Sequence, residues 1–538
     1  MAVAPLSKVT LAASRNDLGI LLAELIKFGT FHPIKEKGMT QDVGILLIAS
    51  RAQDVFGRAG ELLRQGGFGK EGRPKEVERF EAHDVQGLVS SLDDYVRIVE
   101  EDASLFSKEE DKTGVVSVLV AVQEAALMVF DDLQRILVFP GEAGAVSLKG
   151  FVPTKSVEKL RALMGAFLKS VEPVKPAKPG KDDPYIPSLL VNPRVVSFFQ
   201  NLTLMRGLPR YGEVDPTPIL AFVFPFFFGL MFGDIGHGVA LLAFGLYLIY
   251  RTSYAAWGKQ VLVLSLSTTI VGFVRGAVFG LTFTSPLSRV VALPPAFSAT
   301  FTLSYIPFLL ELAVVIGTFH LASAYVISFI NNERVGNNVD AFLNKLPTAF
   351  LYVFIVPLGF AVAGTGLDFG VLFTSSAPTP VFNQLLGLDI PIGETARFSL
   401  PFVVAASVVL VISHPVETYL DLHRLGATLK AVPIGAFDTA AKYFEFFTNT
   451  LSYVRLGVLL VTTTLLETLT ADVLRAGPVG IAVGAFLNVC VISLEGLVIY
   501  IQDMRLQLYE WFSQFYAGTG VPFMPLVSSG VHFTVSWT

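Results

Sequence analysis

Cysteine is almost absent from this sequence. Of its 538 residues only Cys490 is a cysteine, and it lies within an apolar stretch. A single cysteine excludes a disulfide within the chain and a metal site built on cysteine ligands. Motifs of catalysis are missing as well, because the sequence contains no G-x-x-x-x-G-K-[ST] phosphate loop, no HExxH and no GxSxG. We therefore expect no ATP chemistry, no catalytic site, no cofactor and no metal in this chain.

Charged residues are also scarce, and they are unevenly distributed. They make up 16% of the chain, whereas hydrophobic residues make up 52%, and the mean hydropathy is +0.59. Residues 1–216 hold 56 of the 85 charges, and the remaining 322 residues hold 29. This composition is typical of a membrane protein with several spans and a soluble N-terminal domain. No basic cluster with interleaved aromatics is present, so we expect no nucleic-acid partner.

The N-terminal part predicts a cytoplasmic domain, because the chain does not begin with a basic segment followed by a clean apolar core. Residues 1–187 predict α/β lobes joined by a helical hairpin arm. KVTLAA predicts a strand, and LGILLAELIKFG predicts a helix that Ser14 or Asn16 caps and Gly29 ends.

The rest of the soluble region predicts an arm, a second strand–helix unit and a linker. Helical periodicity covers residues 41–66 and 74–138, the second run being possibly interrupted. VSLKGFVPTKSVEKLRALMGAFL predicts a strand, a turn at Pro153 and a capped helix. Residues 173–187 are rich in proline and lysine and predict a linker. Residues 188–216 then form a connector to the membrane domain, residues 217–538.

Eight apolar runs predict a polytopic bundle of eight transmembrane helices, since a span needs about 20 residues. Loops assigned to the cytoplasm carry seven Lys and Arg residues and loops assigned outside carry three. This bias favours eight spans with both termini in the cytoplasm, whereas merging the first two runs reverses it. The predicted spans are 217–233, 236–251, 260–284, 305–330, 346–365, 398–415, 440–470 and 479–513.

The last two spans, long and tilted, each carry an arginine, which membranes rarely tolerate. In the last span, residues seven apart form a polar stripe on an ideal helix, and Arg505 lies about 80° away from that stripe. In the preceding span, Arg455 lies about 80° from a second stripe. The two stripes consist of Asn488, Glu495, Gln502 and Tyr509, and of Glu445, Asn449, Ser452, Thr463 and Glu467.

These stripes have two interpretations. One is that the polar side chains hold a helix bundle together by hydrogen bonds, with Arg–Glu pairs inside it. The other is a proton or cation path lined by carboxylates, with the arginines facing a charged group. Because membrane charges usually pair and the carboxylates of the stripes lie on other faces, a carboxylate of another subunit is a plausible partner for the arginines.

Four further membrane residues are weaker candidates. Asp234 and His237 in FGLMFGDIGHG lie at the boundary between two short spans, where Asp234 can cap the second span or pair with His237. Glu311 and His320 are nine residues apart and predict either buried pairs or groups at the edge of a channel.

Several of these stretches together resemble the membrane stator subunit of rotary V/A-type ATPases, called subunit a in eukaryotic and subunit I in archaeal and bacterial complexes. The likeness rests on YGEVDPTPILAFVFPFFFGLMFGDIGHG, LSYVRLGVLL and LEGLVIYIQDMRLQLYEWFSQFYAGTGVPFMP, and on the two strand–helix units of the N-terminal domain. It implies a non-catalytic subunit that anchors peripheral stalks and provides two half-channels for H⁺ or Na⁺ beside a rotating proteolipid ring.

The resemblance also implies partners and residue roles. Arg455 and Arg505 match the two ring-facing arginines, and Glu495 matches the half-channel glutamate. The implied partners are the c/K-type proteolipid ring, E and G(H)-type peripheral stalk subunits, the C/d-type collar subunit, the A/B head through the stalks, and membrane lipid. The implied location is a prokaryotic plasma membrane.

The chain departs from that pattern at several places. Thr463 and Gln502 stand where the eukaryotic form has histidines, and Asn449 stands where many bacterial chains carry aspartate. The N-terminal region is also short for the family. The half-channel relay is therefore not transferable in full. The alternative function is an independent secondary ion transporter or channel with a cytoplasmic regulatory domain.

Overall fold

The computed structural model describes residues 3–36, 38–65, 77–101, 109–140, 145–176, 186–283, 306–423, 425–527 and 529–537. The chain forms two compact units. The first, here called the sheet unit, consists mainly of Ala4–Lys175 and the residues from Val521 onward. The second, here called the helical unit, consists mainly of Leu190–Gly520. Most of the predicted linker, residues 177–185, lies outside the described residues.

Strands and helices alternate through the sheet unit. Up to Ser188 its elements are β1 (Leu6–Ser14), α1 (Leu18–Phe28), β2 (His32–Pro33), α2 (Val43–Gln65), β3 (Glu78–Ala82), α3 (Val85–Glu101), α4 (Glu109–Arg135), β4 (Val138–Pro140), β5 (Ala145–Pro153), α5 (Val157–Met164), β6 (Leu168–Pro173) and β7 (Pro187–Ser188).

The two predicted strand–helix units share one antiparallel sheet. Its strand order is β2-β5-β1-β6, and β4 also pairs with β5. The pairing of β1 with β5 runs over nine residues, from Leu6 opposite Pro153 to Ser14 opposite Ala145. Helix α1 ends as predicted at Gly29, whose φ of 69° suits a residue without a side chain. At its start, however, neither Ser14 nor Asn16 caps the helix, because Asp17 occupies the N-cap position without a side-chain bond.

The prediction of one helical run over residues 74–138 is wrong in part. The structure has a strand, β3, followed by the two helices α3 and α4. Strand β3 has only five residues, ERFEA, with no apolar run to indicate it. Its partner lies about 450 residues further along the chain, so local periodicity carries no sign of the pairing.

The helical unit begins with two short helices and continues with long ones. Its elements are α6 (Arg194–Ser197), α7 (Gln200–Met205), α8 (Thr217–Met231), α9 (Ile235–Arg251), α10 (Ala255–Arg275), β8 (Ala277–Val278), β9 (Leu281–Thr282), α11 (Ile306–Arg334), α12 (Asn338–Asp340), α13 (Leu346–Gly364), α14 (Pro380–Leu386), α15 (Ile392–Leu422), α16 (Leu425–Ser452), α17 (Val454–Leu474), α18 (Pro478–Cys490) and α19 (Gly496–Arg505).

The final residues belong to the sheet unit rather than to the membrane domain that the sequence predicts. They form β10 (Val521–Pro522) and β11 (Phe533–Trp537). Strand β10 pairs in parallel with β7, and β11 pairs in parallel with β3. The sequence prediction placed these residues with their neighbours in the chain, whereas their hydrogen-bond partners lie near the other end of the sequence.

Seven helices among the described residues are long and apolar enough to cross a membrane. Six correspond to the last six predicted spans. The seventh, Gly114–Arg135, is part of α4, and its buried side chains belong to the core of the sheet unit. The first two predicted spans are the shorter helices α8 and α9, of 15 and 17 residues. They are separate helices, and the count of eight spans stays a prediction.

Glycines allow α8, α9 and α10 to approach closely. A Cβ on Gly272 of α10 would lie 2.4 Å from the backbone nitrogen of Ile235, and one on Gly238 of α9 would lie 2.2 Å from Thr269 Oγ1. Such distances are far below ordinary contact, so only glycine fits at these two positions. The close packing brings the turn at Asp234 against the C-terminal end of α10.

The last two spans are not uniform helices. A turn at Tyr453 separates α16 from α17, and π-helical segments at Val491–Glu495 and Leu506–Trp511 flank α19. A π turn holds more residues than an α turn, so each segment rotates the following side chains. The ideal-helix arithmetic assumed that residues seven apart lie on one face of the helix. The π-helical segments make that assumption wrong for these spans.

Candidate functional site

Arg455 lies one residue into α17, at the turn that follows α16. Its nearest carboxylate oxygen is Glu510 Oε1, 3.8 Å from Nη2, and Nη1 has no hydrogen-bond partner among the described residues. About a fifth of the Arg455 side chain is exposed, whereas the Glu510 side chain is 7% exposed. The expectation that Arg455 lacks a carboxylate within its own chain is therefore wrong, because Glu510 reaches it, though only loosely.

Arg505 ends α19 and is exposed. Among the described residues it has no carboxylate within the 4.0 Å of an ion pair. Its surroundings on the helix are apolar and open, since Val498 and Ile501 are each about half exposed. Arg505 is thus exposed beside apolar side chains, and the expectation that it faces a carboxylate of another subunit stays a prediction.

Glu495 is buried and points toward the preceding span. Its Oε1 accepts a hydrogen bond of 2.7 Å from the Thr463 hydroxyl, while Oε2 has no partner among the described residues. Thr463 is fully buried. The two stripes therefore meet at this pair, although sequence alone did not indicate which of their members are in contact.

Arg275 is the main residue that sequence reasoning missed. It is 5% exposed at the end of α10, and its guanidinium donates to the Gly233 carbonyl, to Thr464 Oγ1 and to Glu467 Oε2 at 2.9, 2.8 and 3.2 Å. Glu467 is 4% exposed, and its Oε1 has no partner in the described part of the chain. A charge at the end of an apolar run was the available signal.

Asp234 caps α9, as one of the two interpretations of the sequence predicts. Its Oδ1 accepts hydrogen bonds from the backbone N–H of His237 and of Phe279, and its Oδ2 accepts one from Gly280. Its carboxylate is fully buried and joins the start of α9 to the β8–β9 hairpin. Phe279 and Gly280 have positive φ angles of 49° and 78°, which turn both N–H groups toward the carboxylate.

The imidazole of His237 contacts the last span, whereas only the backbone N–H of His237 bonds to the side chain of Asp234. Its Nε2 lies 2.9 Å from Asn488 Oδ1, and its ring stacks on Phe232. Asn488 Nδ2 donates to the Gly484 carbonyl, so the Oδ1 atom is an acceptor and His237 Nε2 is the donor. Asp234, His237 and Glu467 each offer an atom, and the three atoms lie within 4.8 Å of one another.

The other members of the predicted stripes do not join this buried group. Glu445 is exposed and accepts a hydrogen bond from Gln514 Nε2, and Tyr509 is 66% exposed. Asn449, Ser452 and Gln502 are intermediate in exposure. The single continuous stripes are therefore wrong, because the turn at Tyr453 and the π segments redirect the side chains.

Glu311 and His320 do not pair with each other through a hydrogen bond in the described structure. His320 is buried, its Nδ1 lies 2.9 Å from the Tyr453 hydroxyl, and its ring stacks on Trp511. This arrangement fixes the turn that precedes Arg455. Glu311 is partly buried, and its Oε2 has no hydrogen-bond partner in the described part of the chain.

Two further buried carboxylates were missed. Asp503 is fully buried next to the exposed Arg505, and Glu510 lies beside Arg455. Both stand within five residues of Arg505, so the sequence signal was present. The stripe arithmetic passed over them because neither falls on the seven-residue repeat.

Comparison with known proteins gives one family and several relatives. Residues 87–263 match the model of the V-type ATPase 116kDa subunit family. The chain is 26% identical over 519 residues to the A-type ATP synthase subunit I of Pyrococcus abyssi, covering 90% of this chain and 68% of the relative. It is also 26% identical to the subunit I of Methanocaldococcus jannaschii, covering 86% and 67%. A shorter stretch of 138 residues is 34% identical to subunit I of Archaeoglobus fulgidus, covering 25% of this chain and 19% of that protein.

Proposed function

Because the chain belongs to the V-type ATPase 116kDa subunit family, we propose that it is the non-catalytic stator subunit of a rotary V/A-type ATPase. In this role it is an integral membrane protein that guides H⁺ or Na⁺ past a ring of proteolipid subunits. The ATP-hydrolysing or ATP-forming subunits belong to other chains of the complex.

The observation that carries the proposal is the exposed Arg505. An arginine at the bilayer centre costs roughly 2.5–3.5 kcal/mol on insertion scales, so an intramembrane arginine needs a polar partner. Among the described residues none with a carboxylate lies within 4.0 Å of Arg505, and its neighbours Val498 and Ile501 expose apolar surface. A carboxylate of a proteolipid ring matches this surface, because the adjacent guanidinium favours its ionised form.

Arg455 acts with Arg505 in this proposal. Its contact with Glu510 is long, at 3.8 Å, and one of its terminal nitrogens has no partner in the described structure. Glu510 therefore holds the guanidinium in place and leaves it a free donor. The guanidinium groups of Arg455 and Arg505 then separate the two half-channels. A ring carboxylate that carries its ion is neutral and gains little by passing them, whereas an ionised carboxylate is attracted to them.

The buried carboxylates have a separate role in this proposal. We propose that Glu495 exchanges the ion with the outer half-channel, with Thr463 orienting its carboxylate and Glu467 lying further along. The other half-channel candidates are Gln502, Glu445, Asn449, Ser452, Asn488, Tyr509, Asp234, His237, Glu311 and His320.

The sheet unit is proposed to hold the stator against the head of the complex. The peripheral stalk subunits and the collar subunit are its proposed partners. Residues 4–175 and the segment from Val521 onward lie in this one unit. Their common unit supports one side of the membrane for both segments. We propose that this side is the cytoplasm and that the membrane is a prokaryotic plasma membrane.

The test is Arg505→Ala in the purified complex, reconstituted into liposomes. We expect ATP-driven ion uptake to be lost while the subunit still co-purifies with the proteolipid ring and the soluble head. Arg475→Ala is the matched control, because Arg475 is an exposed arginine beyond the end of α17 that pairs with Asp472 at 3.9 Å. Uptake by Arg505→Ala equal to that of Arg475→Ala would contradict the proposal.

The same preparation discriminates the alternative of an independent transporter. A stator co-purifies with an oligomeric proteolipid ring and transports no ions when isolated. Ion transport by the isolated chain in liposomes would favour the transporter and exclude the stator.

A further inference from the structure

We propose that Asp234, His237 and Glu467 form a buried binding site for one divalent transition-metal ion of the Zn²⁺ class. This departs from the sequence expectation of no metal, and it gives these three residues a role other than the half-channel role proposed above. The three side chains come from α9, its N-cap and α17, and all three are at least nine-tenths buried. Their ligand atoms lie within 4.8 Å of one another, so side-chain shifts of about 1 Å would bring all three to the bond lengths of roughly 2.0–2.2 Å that Zn²⁺ takes.

The imidazole of His237 has the tautomer that a metal ligand needs. Its Nε2 donates to Asn488 Oδ1, so in the neutral ring Nδ1 carries the lone pair. Nδ1 is buried and has no hydrogen-bond partner among the described residues. A metal-ligating histidine usually donates its other N–H to a fixed acceptor, which orients the ring. Asn488 provides that acceptor here.

The two carboxylates are oriented in the same way. Glu467 Oε2 accepts from Arg275, which leaves Oε1 without a partner in the described structure. Asp234 is held by three backbone N–H groups. Each ligand thus has a second contact that fixes its direction, as is usual around metal ions.

The donor set selects the class of ion. One nitrogen and two carboxylate oxygens suit Zn²⁺, which takes three protein ligands and a water in tetrahedral sites. Mg²⁺ and Ca²⁺ prefer six or more oxygen ligands, so they fit this site poorly. The two carboxylates neutralise a divalent ion, and the remaining positive charge of Arg275 favours hydroxide or another anion as the fourth ligand.

The experiment measures ⁶⁵Zn²⁺ binding to the purified complex without any transport assay. We expect one site in the wild type that His237→Gln and Glu467→Gln each weaken at least about tenfold. Asn488→Leu, which removes only the orienting acceptor, should weaken it about 10–100-fold. The control is His414→Gln, a histidine outside the cluster that pairs with Asp438.

Wild-type Zn²⁺ affinity in both His237→Gln and Glu467→Gln would overturn the proposal. If His237→Gln fails to assemble, Zn²⁺ binding by Glu467→Gln still tests the proposal. Glutamine has the shape of glutamate, and its amide oxygen can still accept the hydrogen bond from Arg275. The binding assay needs neither ATP nor a membrane potential. A failure to bind Zn²⁺ would therefore contradict the metal site without contradicting the proposed ion transport.

Discussion

At the scale of single residues, the hydrogen bond between Thr463 and Glu495 gives a role to the threonine at a position where the resemblance implies a histidine in the eukaryotic form. A hydroxyl does not take up a proton near neutral pH as an imidazole does, but it donates one hydrogen bond. The Thr463 hydroxyl also lies 3.0 Å from the Leu459 carbonyl, and Glu495 Oε1 is the nearer acceptor. That bond, 2.7 Å long, holds Glu495 Oε1 toward α17 and leaves Oε2 unpartnered among the described residues. A carboxylate with one fixed and one unpartnered oxygen is suited to exchanging an ion at the second oxygen.

Thr463→Val tests this role. Removing the donor to a buried charged acceptor costs about 1.5–3 kcal/mol, so we expect ATP-driven uptake in liposomes to slow at least about tenfold. Thr463→Ser should restore it. Thr462→Val is the control, since Thr462 is exposed and its hydroxyl bonds only to the Val458 carbonyl of its own helix. Equal rates in the two valine variants would refute the role.

Glu495→Gln tests the carboxylate itself. An amide keeps the hydrogen bond from Thr463 but cannot bind and release a proton, so we expect slow transport in an assembled complex. The measurement is the initial rate of uptake at saturating ATP. An unchanged rate would remove Glu495 from the ion path.

At the scale of elements, the close packing of α9 against α10 rests on Gly272. A Cβ there would lie 2.4–2.7 Å from the backbone of Asp234 and Ile235. Because the obstacle is backbone, Gly272→Ala should destabilise the protein by about 1–3 kcal/mol. We expect the variant to have a lower midpoint of thermal unfolding in detergent than the wild type.

The matched control is Gly359→Ala, within α13, where a Cβ meets nothing within 4 Å. Alanine there should be neutral or slightly stabilising, because it is the better helix former. If both variants unfolded at the same temperature, the close contact would have no energetic weight.

The ion pairs of Glu36 connect β1, β5 and the segment after β2. Burial raises the pKa of this carboxyl, but hydrogen bonds from Lys8 and Lys149, at 2.6 and 2.9 Å, outweigh it, so the pKa is lowered. A lowered pKa stabilises the fold above the unfolded pKa of about 4.5, and this contribution is lost as the pH falls through the folded value.

Glu36→Gln should therefore lower the unfolding midpoint at pH 7 by roughly 2–4 °C, the effect of ~1 kcal/mol on a unit of this size. The difference from wild type should shrink as the pH falls below about 4.5 and vanish once the pH is below the lowered pKa of the folded state. Glu158→Gln, an exposed residue of α5, should have no effect at either pH. A difference for Glu36→Gln that persisted in acid would exclude the ion pairs as its cause.

The same elements show which parts of the fold could be predicted from the sequence. Gly29, β1 and the strand–turn–helix around Pro153 were predictable because turn chemistry and short-range pattern are local. That Arg505 and Glu495 lie on different sides was predictable too, because α19 (Gly496–Arg505) is a regular helix; Glu495 is buried and Arg505 is exposed. The exposed position of Tyr509 was not predictable, because the π-helical segment at Leu506–Trp511 changes the number of residues per turn. No residue type in that segment indicates a π helix.

At the scale of the whole molecule, contacts between distant parts of the chain were beyond sequence reasoning. Arg275 meets Glu467 across 192 residues, and β11 meets β3 across about 450. The cluster of Asp234, His237 and Glu467 likewise forms only when two distant stretches pack together, one holding Asp234 and His237 and the other holding Glu467. Their residue types are readable in the sequence, but their distances are not.

Strand β11 completes the core of the sheet unit through Phe533, which is fully buried and contacts Phe80 of β3. Phe533→Ala should cost about 3–5 kcal/mol, the usual loss for a buried aromatic. The loss should appear as faster amide hydrogen exchange in β3 and α3, while α8 to α19 keep wild-type protection. Val531→Ala is the control, because Val531 is 74% exposed. If β3 exchanged equally in both variants, the pairing of the distant strands would not contribute to the stability of this unit.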